Sequence, residues 1–241
     1  MAYQKSTMFI AAFAAVALLL PSPANAKGLQ PEESSAASFS GEDVPLEETD
    51  LSEGGSGQVV LQDCIDQVNA VAAAQGVKAS DYSKYCEGTL KSSLSSPVTI
   101  TPTEATRVVQ EAGLIGLDAS QLITQAAAGK VKYRKWTHEY YGLTIREKHA
   151  GKTYYNGSKA WVSKHYGFTG YHKCHTEGSY AVGWSVKLGS CSRSRTAAQG
   201  VDHVHNFDMS FLVKGSPITL TVGLHMLLRR DGSNKGWQVG G

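Results

Sequence analysis

Strict alternation of apolar and polar residues near the C-terminus most constrains the fold of this 241-residue chain. In PITLTVGLHMLL, residues 217–228, every second residue is large and apolar, and the residues between them are mostly polar or small. The segments 182–188 and 207–213 alternate in the same way. A period of two is that of a strand with one buried face, so these segments predict an antiparallel β-sheet.

Turn signals divide the region after Val131 into about seven short strands. The turn signals are Asn156-Gly157, Gly178-Ser179, Gly215-Ser216-Pro217 and Asp231-Gly232. Asn-Gly between two alternating segments is the strongest short hairpin signal. Residues 131–241 are therefore predicted to form an antiparallel β-sandwich or a small barrel.

Residues 59–130 have the periodicity of helices instead. Apolar residues recur at steps of three and four between Val60 and Ala72, and Gly76 is a natural stop. Two further helices are predicted, one over 80–94 and one from Thr103 onward. A last helix is predicted to have Asp118 as its N-cap and to end at Gly129. The predicted fold class is α+β, with a small N-terminal helical region followed by the C-terminal β domain.

The first 58 residues contain two segments that are not expected to join either part. Residues 1–26 have the pattern of a signal peptide, with Lys5, an apolar stretch and a cleavage motif ending at Ala26. Residues 27–58 form an acidic linker, predicted to be disordered and to end in a flexible Gly-Gly-Ser-Gly hinge at 54–57. No later segment is apolar enough to span a membrane, so a secreted protein without a transmembrane segment is expected.

Four cysteines, all after Ala26, predict two disulfides, because thiols of exported proteins tend to oxidise. Four cysteines allow three pairings. Proximity in the sequence favours Cys64–Cys86 and Cys174–Cys191, with one bridge in each half of the chain.

Charge is divided unequally between the two halves. Residues 27–130 contain 6 Lys and Arg against 15 Asp and Glu, whereas residues 131–241 contain 16 against 6. A basic exported domain whose aromatic residues lie among cationic ones suggests non-catalytic binding of an anionic or carbohydrate cell-surface ligand, such as a cell-wall polymer. The candidate ligand-binding residues are Lys132, Arg134, Trp136, Tyr140, Lys152, Tyr154 and Trp161.

All eight histidines lie in the basic half. His203 and His205 lie on one face of a predicted strand, and His172 could add a third imidazole if its strand were adjacent. Imidazoles in this pattern are ligands for zinc or copper. The alternative is that these histidines are structural or lie on the surface.

Motifs of known enzyme chemistry are missing from the sequence. It contains no Gly-x-Ser-x-Gly, no His-Glu-x-x-His and no dinucleotide fingerprint, so no catalytic residue and no cofactor is predicted. Two alternatives to surface binding remain open. One is a metal-dependent secreted enzyme that uses the histidines, and the other is a secreted antibacterial, bacteriocin-like protein.

Overall fold

Within the part of the chain that the structure describes, two antiparallel sheets and three helices form an α+β structure that resembles a sandwich. The computed structural model describes residues 54–177, 183–194 and 199–241. The seven strands of the first sheet are β1 Gly55–Val60, β2 Glu87–Leu94, β3 Val98–Thr99, β4 Lys132–Gly142, β5 Arg146–Tyr155, β6 Ala160–Trp161 and β7 Tyr171–Glu177. The four strands of the second are β8 Trp184–Arg193, β9 Gly200–Val213, β10 Ser216–Arg229 and β11 Asn234–Gly240.

The predicted alternation is confirmed in β9 and β10, which pair along their whole length. Alternate side chains of both strands are buried, from Val201 to Val213 and from Ile218 to Leu228. The turn between these strands is Lys214-Gly215, one residue earlier than the predicted signal. Both of its residues have positive φ, as a two-residue hairpin turn that matches the strand twist requires.

Two segments in the first half of the chain do not have the structure that was predicted for them. The segment 80–94, predicted to be a helix, forms the 3₁₀ turns Ala79–Asp81 and Ser83–Cys86 and then strand β2. The predicted hinge at 54–57 lies largely in β1, which pairs with β2. In β2 the buried residues Gly88, Leu90 and Ser92 alternate with more exposed ones, so hydrogen bonding to β4 prevails over local helical propensity.

The three helices are α1 Gln62–Gln75, α2 Pro102–Ala112 and α3 Gly116–Ala127. Helix α1 ends at Gly76 as predicted, and this residue adopts the left-handed conformation. The N-cap of α2 is Thr101, whose hydroxyl oxygen accepts a hydrogen bond from the Glu104 backbone N–H. Asp118 lies in the first turn of α3, which begins at Gly116, so its predicted capping role is wrong.

The helices cover different parts of the sheets. Helix α1 packs with an apolar cluster that contains Tyr140, Phe207 and Leu224, between the two sheets. Helices α2 and α3 pack around Tyr154 and Trp161, whereas the neighbouring Tyr155 belongs to a third cluster with Met226 and Leu228. Tyr154 and Tyr155 thus point to opposite faces of β5.

In the part of the chain that the structure describes, no helix is long and apolar enough to cross a membrane. The predicted signal peptide, most of the acidic linker and the predicted Gly178-Ser179 turn lie outside the described residues. Strands β7 and β8, on either side of that turn, belong to different sheets, since β7 pairs with β5 and β8 with β9.

Candidate functional site

Five histidines converge between the two sheets. We call His138, His149, His172, His203 and His205 the histidine cluster. In the first sheet His138 is the register partner of His149 on β5, which is in turn the partner of Cys174 on β7. The second sheet contributes His203 and His205, which lie on the same face of β9. All of these histidines except His172 are fully buried.

Trp136 packs at the centre of the cluster. Its ring centroid lies 4.6 Å from that of His203, 5.1 Å from that of His149 and 5.7 Å from that of His172. Gly151, the register partner of Trp136 on β5, makes this position possible. A Cβ atom at Gly151 would lie 2.4 Å from the indole ring, so only glycine leaves room for it.

Both ring nitrogens of His203 have partners that fix its tautomer. Nδ1 lies 2.9 Å from the Met226 carbonyl oxygen, which can only accept, so Nδ1 carries the proton. Nε2 therefore accepts from the Thr153 hydroxyl at 3.2 Å, and the same oxygen accepts from Trp136 Nε1 at 3.0 Å. His203 is a structural residue with no lone pair left for a ligand.

His138 has the same kind of environment. Its Nε2 donates to the Trp237 carbonyl at 3.3 Å, and its Nδ1 accepts from the Ser92 hydroxyl at 2.6 Å. A Cβ atom at Gly236 would lie about 3.0 Å from the His138 ring, so the neighbouring strand fits closely against it. His138 is also structural.

Three buried polar atoms, two in the histidine cluster and one on the adjacent Glu147, have no partner among the described residues. His205 Nε2 lies 3.0 Å from Glu147 Oε2, and both side chains are completely buried. His205 Nδ1, Glu147 Oε1 and His149 Nε2 have no hydrogen-bond partner in the described part of the chain. Buried polar atoms without partners are uncommon in folded proteins and point to a bound water or ion.

Three possible metal-ligand atoms converge at the rim of the cluster. His149 Nδ1 lies 3.1 Å from His172 Nε2, which lies 3.6 Å from Cys174 Sγ. One ligand atom from each of these residues lies within 4.8 Å of the other two. We call these three residues the rim site. His149 is buried, whereas His172 and Cys174 are half-buried, so the site is open on one side.

The surroundings keep these imidazoles neutral. Burial, the largest cause, lowers the pKa of His138 and of His172 to about 4 and that of His203 to about 3. The pKa of His149 is also well below its ordinary value, because of burial first and of the neighbouring histidines second. Neutral imidazole is the form that binds a metal ion.

Of the three histidines predicted as metal ligands, the structure brings only His172 to the rim site. The ring centroid of His203 lies 5.2 Å from that of His172, but both nitrogens of His203 already make hydrogen bonds. His205 pairs with Glu147.

Sequence reasoning missed His149, His138 and Glu147. Glu147 and His149 are two residues apart and share a face of β5, but the segment REKHAGKTYY has no clear apolar alternation to reveal that face. The pairing of His138 on β4 with His149 on β5 could have revealed them. It can be recognised only when the register of the two strands is known.

The predicted ligand-binding residues are spread over several environments. The rings of Trp136, Tyr140, Tyr154 and Trp161 are at most 3% exposed, so they lie in the core. Arg134 donates to the carbonyl oxygens of Ser95 and Gly232. The Lys152 ammonium lies over the rings of Tyr133 and Tyr154, at 4.0 and 4.6 Å from their centroids.

Lys132 lines a groove near the end of α3. Lys130 and Arg230 line the same groove, and we call these three residues the cationic groove. Asp231 and the Asn156-Gly157 turn also line it. Lys130 and Arg230 are exposed, and Lys132 is half-buried.

Both predicted disulfides, Cys64–Cys86 and Cys174–Cys191, are confirmed. The first is completely buried and ties α1 to the segment before β2, where a helical hairpin had been expected. The second joins β7 to β8 and thus links the edges of the two sheets beside the rim site.

Comparisons of the chain with protein-family models, with curated proteins and with solved structures found no match, so the function has to be inferred from the geometry described above.

Proposed function

We propose that the protein binds a transition-metal ion through His149 and His172. The distance of 3.1 Å between His149 Nδ1 and His172 Nε2 carries the proposal. With Zn–N bonds of about 2.0 Å, two nitrogens on one tetrahedral ion lie about 3.3 Å apart. A small rotation of the half-buried His172 ring would therefore let both nitrogens bind the same ion.

The surroundings of His172 suit a metal ligand. Burial, the largest influence, lowers the pKa of His172, and the backbone of Ser192 beside the ring acts in the opposite direction. Metal-binding histidines usually donate their second N–H to a carbonyl or carboxylate, which orients the ring and directs the other nitrogen to the ion. The half-buried position of His172 gives an ion a route from solvent.

Imidazole ligands define the class of ion. They suit zinc, copper and nickel, whereas magnesium and calcium prefer carboxylate and carbonyl oxygens. Two protein ligands leave at least two coordination positions to solvent, so this form of the site suits reversible binding of an exchangeable ion.

Titration calorimetry with Zn²⁺ tests the proposal on the protein with both disulfides formed. His172→Ala should weaken binding by at least about tenfold, because it removes one of two ligands. His175→Ala is the matched control, since His175 is an exposed histidine of the same strand on the opposite face.

Equal affinity in the unaltered protein and in His172→Ala would overturn the proposal. So would the absence of any Zn²⁺ binding. The 3.1 Å contact would then be a hydrogen bond between two neutral histidines, in which one of the two nitrogens donates and the other accepts.

A second function, binding of an anionic polymer outside the cell, is favoured by the cationic groove. Lys130 and Lys132 after α3 and Arg230 after β10 line one groove, and two of the three belong to the half of the chain that has a large excess of positive charge. The phosphate, sulfate or carboxylate groups of a cell-surface polymer would match this charge. Two disulfides and the predicted signal peptide favour an exported protein, in which such ligands are accessible.

Binding to sulfated dextran, with neutral dextran as the control ligand, tests this second function. Charge reversal by Lys132→Glu/Arg230→Glu should abolish the binding, and the affinity of the unaltered protein should fall as salt is added. Lys164→Glu/Lys187→Glu reverses two exposed charges outside the groove and is the matched control. Equal losses in both double variants would show that the groove has no special role.

A further inference from the structure

Both sulfurs of the Cys174–Cys191 disulfide lie close to the His172 ring. His172 Nε2 is 3.6 Å from Cys174 Sγ, and His172 Nδ1 is 3.9 Å from Cys191 Sγ. Cys174 is half-buried beside His149, whereas Cys191 is exposed. Cys174 thus belongs to the rim site, and Cys191 is the more exposed residue of the bridge.

We propose that Cys174–Cys191 is a redox switch on the metal site, and that its reduction supplies the Cys174 thiolate as a third ligand. This inference rests on the proposed metal-binding function and adds its regulation. The structure with the bridge formed would be the weakly binding state, and the reduced protein would be the tightly binding state.

Two of the three distances between ligand atoms at the rim site are close to those on one tetrahedral ion, and the third is at most 4.8 Å. With Zn–N of about 2.0 Å and Zn–S of about 2.3 Å, a nitrogen and a sulfur on one tetrahedral ion lie about 3.5 Å apart. The Cys174 Sγ to His172 Nε2 distance is 3.6 Å. A sulfur within a disulfide carries no negative charge, and thiolate is the form of cysteine that binds metals.

The reaction that operates the switch is thiol–disulfide exchange with a dithiol reductant. A thiolate of the reductant attacks the sulfur of Cys191, the more exposed residue of the bridge, the S–S bond breaks, and Cys174 leaves as a thiolate. The second thiol of the reductant then resolves the mixed disulfide, so the reductant becomes a disulfide and Cys191 becomes a thiol. The Cys174 thiolate binds the ion together with His149 and His172, and no proton is needed on its sulfur.

Comparison with Cys64–Cys86 shows why the redox switch is assigned to Cys174–Cys191. Cys64 and Cys86 are both completely buried in the apolar cluster that contains α1. A reductant has no direct access to them, and the metal-ligand cluster found among the described residues does not include them. The two bridges of one protein thus differ in access and in neighbours.

Cys191→Ser tests the switch without a reductant, because it leaves Cys174 as a permanent thiol. Cys174→Ser is the matched control: it also lacks the bridge, but its free thiol is the exposed Cys191. Zn²⁺ affinity is measured by competition with a chromophoric chelator for both variants, for Cys174→Ser/Cys191→Ser and for the unaltered oxidised protein. Mass spectrometry confirms that each free thiol has stayed monomeric and unmodified.

The switch predicts that Cys191→Ser binds Zn²⁺ at least about 100-fold more tightly than the double variant, because a charged ligand is added to two neutral ones. Cys174→Ser should stay within about fivefold of the double variant. With Co²⁺ as the probe, only Cys191→Ser should show thiolate-to-metal charge-transfer absorption.

Equal affinities in Cys191→Ser and Cys174→Ser would overturn the switch. The proposed function would survive that result if the unaltered oxidised protein still bound Zn²⁺ through His172. Absence of binding in every protein would overturn both. If Cys191→Ser does not fold, reduction of the unaltered protein with a phosphine, with the Cys64–Cys86 bridge verified as intact, gives the same comparison.

Discussion

The two disulfides join residues at similar separations in the sequence, 22 and 17 residues apart, but their surroundings have little in common. Cys64–Cys86 lies inside an apolar cluster beside α1. Cys174–Cys191 lies at the edge of the sandwich, where its sulfurs contact a histidine whose pKa is lowered to about 4.

This difference shows that the role of a disulfide depends on its neighbours more than on the loop it closes. Loops of these lengths predict nearly the same entropic stabilisation, about 3 kcal/mol for each bridge. The buried bridge adds apolar packing to this term. The bridge beside the rim site, Cys174–Cys191, has access to solvent and two neighbouring imidazoles. It can therefore take part in thiol–disulfide exchange and metal binding, whereas Cys64–Cys86 cannot.

The largest expected effect is the loss of the buried bridge. Cys64→Ala/Cys86→Ala should lower the free energy of unfolding by about 4 kcal/mol, because cavity formation adds to the lost constraint on the unfolded chain. Cys174→Ala/Cys191→Ala should lose about 3 kcal/mol or less, since it leaves no buried cavity. Urea unfolding of both variants measures the difference, and a larger loss in the rim variant would contradict the comparison.

The next effect separates the interior histidines from those of the rim. His203→Ala breaks hydrogen bonds to Thr153 and Met226 in a fully buried position, so we expect a loss of about 3 kcal/mol. His172→Ala removes a half-buried ring and should cost about 1 kcal/mol. Similar losses in the two variants would mean that the rim is as important for folding as the interior.

Acid should destabilise the protein through its buried histidines. The pKa of His138 is about 4 and that of His203 about 3 in the folded state, whereas both are about 6.5 in an unfolded chain. Between these values the unfolded state binds more protons, so stability is complete above pH 6.5 and falls as the pH is lowered. Each histidine contributes a slope of up to about 1.4 kcal/mol per pH unit.

Urea unfolding at a series of pH values from neutral to acidic measures this slope. His203→Gln keeps a hydrogen-bond donor and acceptor at the position but does not titrate in this range. The slope of its free energy of unfolding against pH should therefore be smaller by up to about 1.4 kcal/mol per pH unit, which corresponds to one proton. An unchanged slope would show that His203 is not held neutral by the fold.

The smallest effect is kinetic and compares the two bridges directly. A limiting amount of a dithiol should reduce Cys174–Cys191 at least about ten times faster than Cys64–Cys86, because thiol–disulfide exchange needs access to a sulfur. Alkylation of the new thiols followed by peptide mass analysis identifies the bridge that opened first. Faster labelling of Cys64 and Cys86 would remove the basis for assigning the switch to the rim bridge.

The sequence allowed the second sheet and both disulfides to be predicted. The alternation in β9 and β10 is regular because one face of each strand is buried along almost its whole length. Strand β2 lies in the segment 80–94 that was predicted to be a helix with Asp81 near its start, and only the pairing of this strand with β4 reveals its period of two.

The candidate site was predictable only in part. His172 was recognised as a possible ligand, but its partner His149 is 23 residues earlier in the chain and reaches it through the pairing of β5 with β7. His203 and His205 have the spacing of a ligand pair, yet their nitrogens bind groups on other strands. Spacing within one strand shows which side chains share a face, whereas hydrogen-bond partners depend on the neighbouring strands.

Zinc X-ray absorption tests the central claim, that His149 and His172 hold a metal ion at the rim, most directly. Zinc-loaded oxidised protein should show two imidazole ligands, and Cys191→Ser should show the same two together with one sulfur at about 2.3 Å. Zinc surrounded only by oxygen ligands in both proteins, without imidazole scattering, would contradict the account.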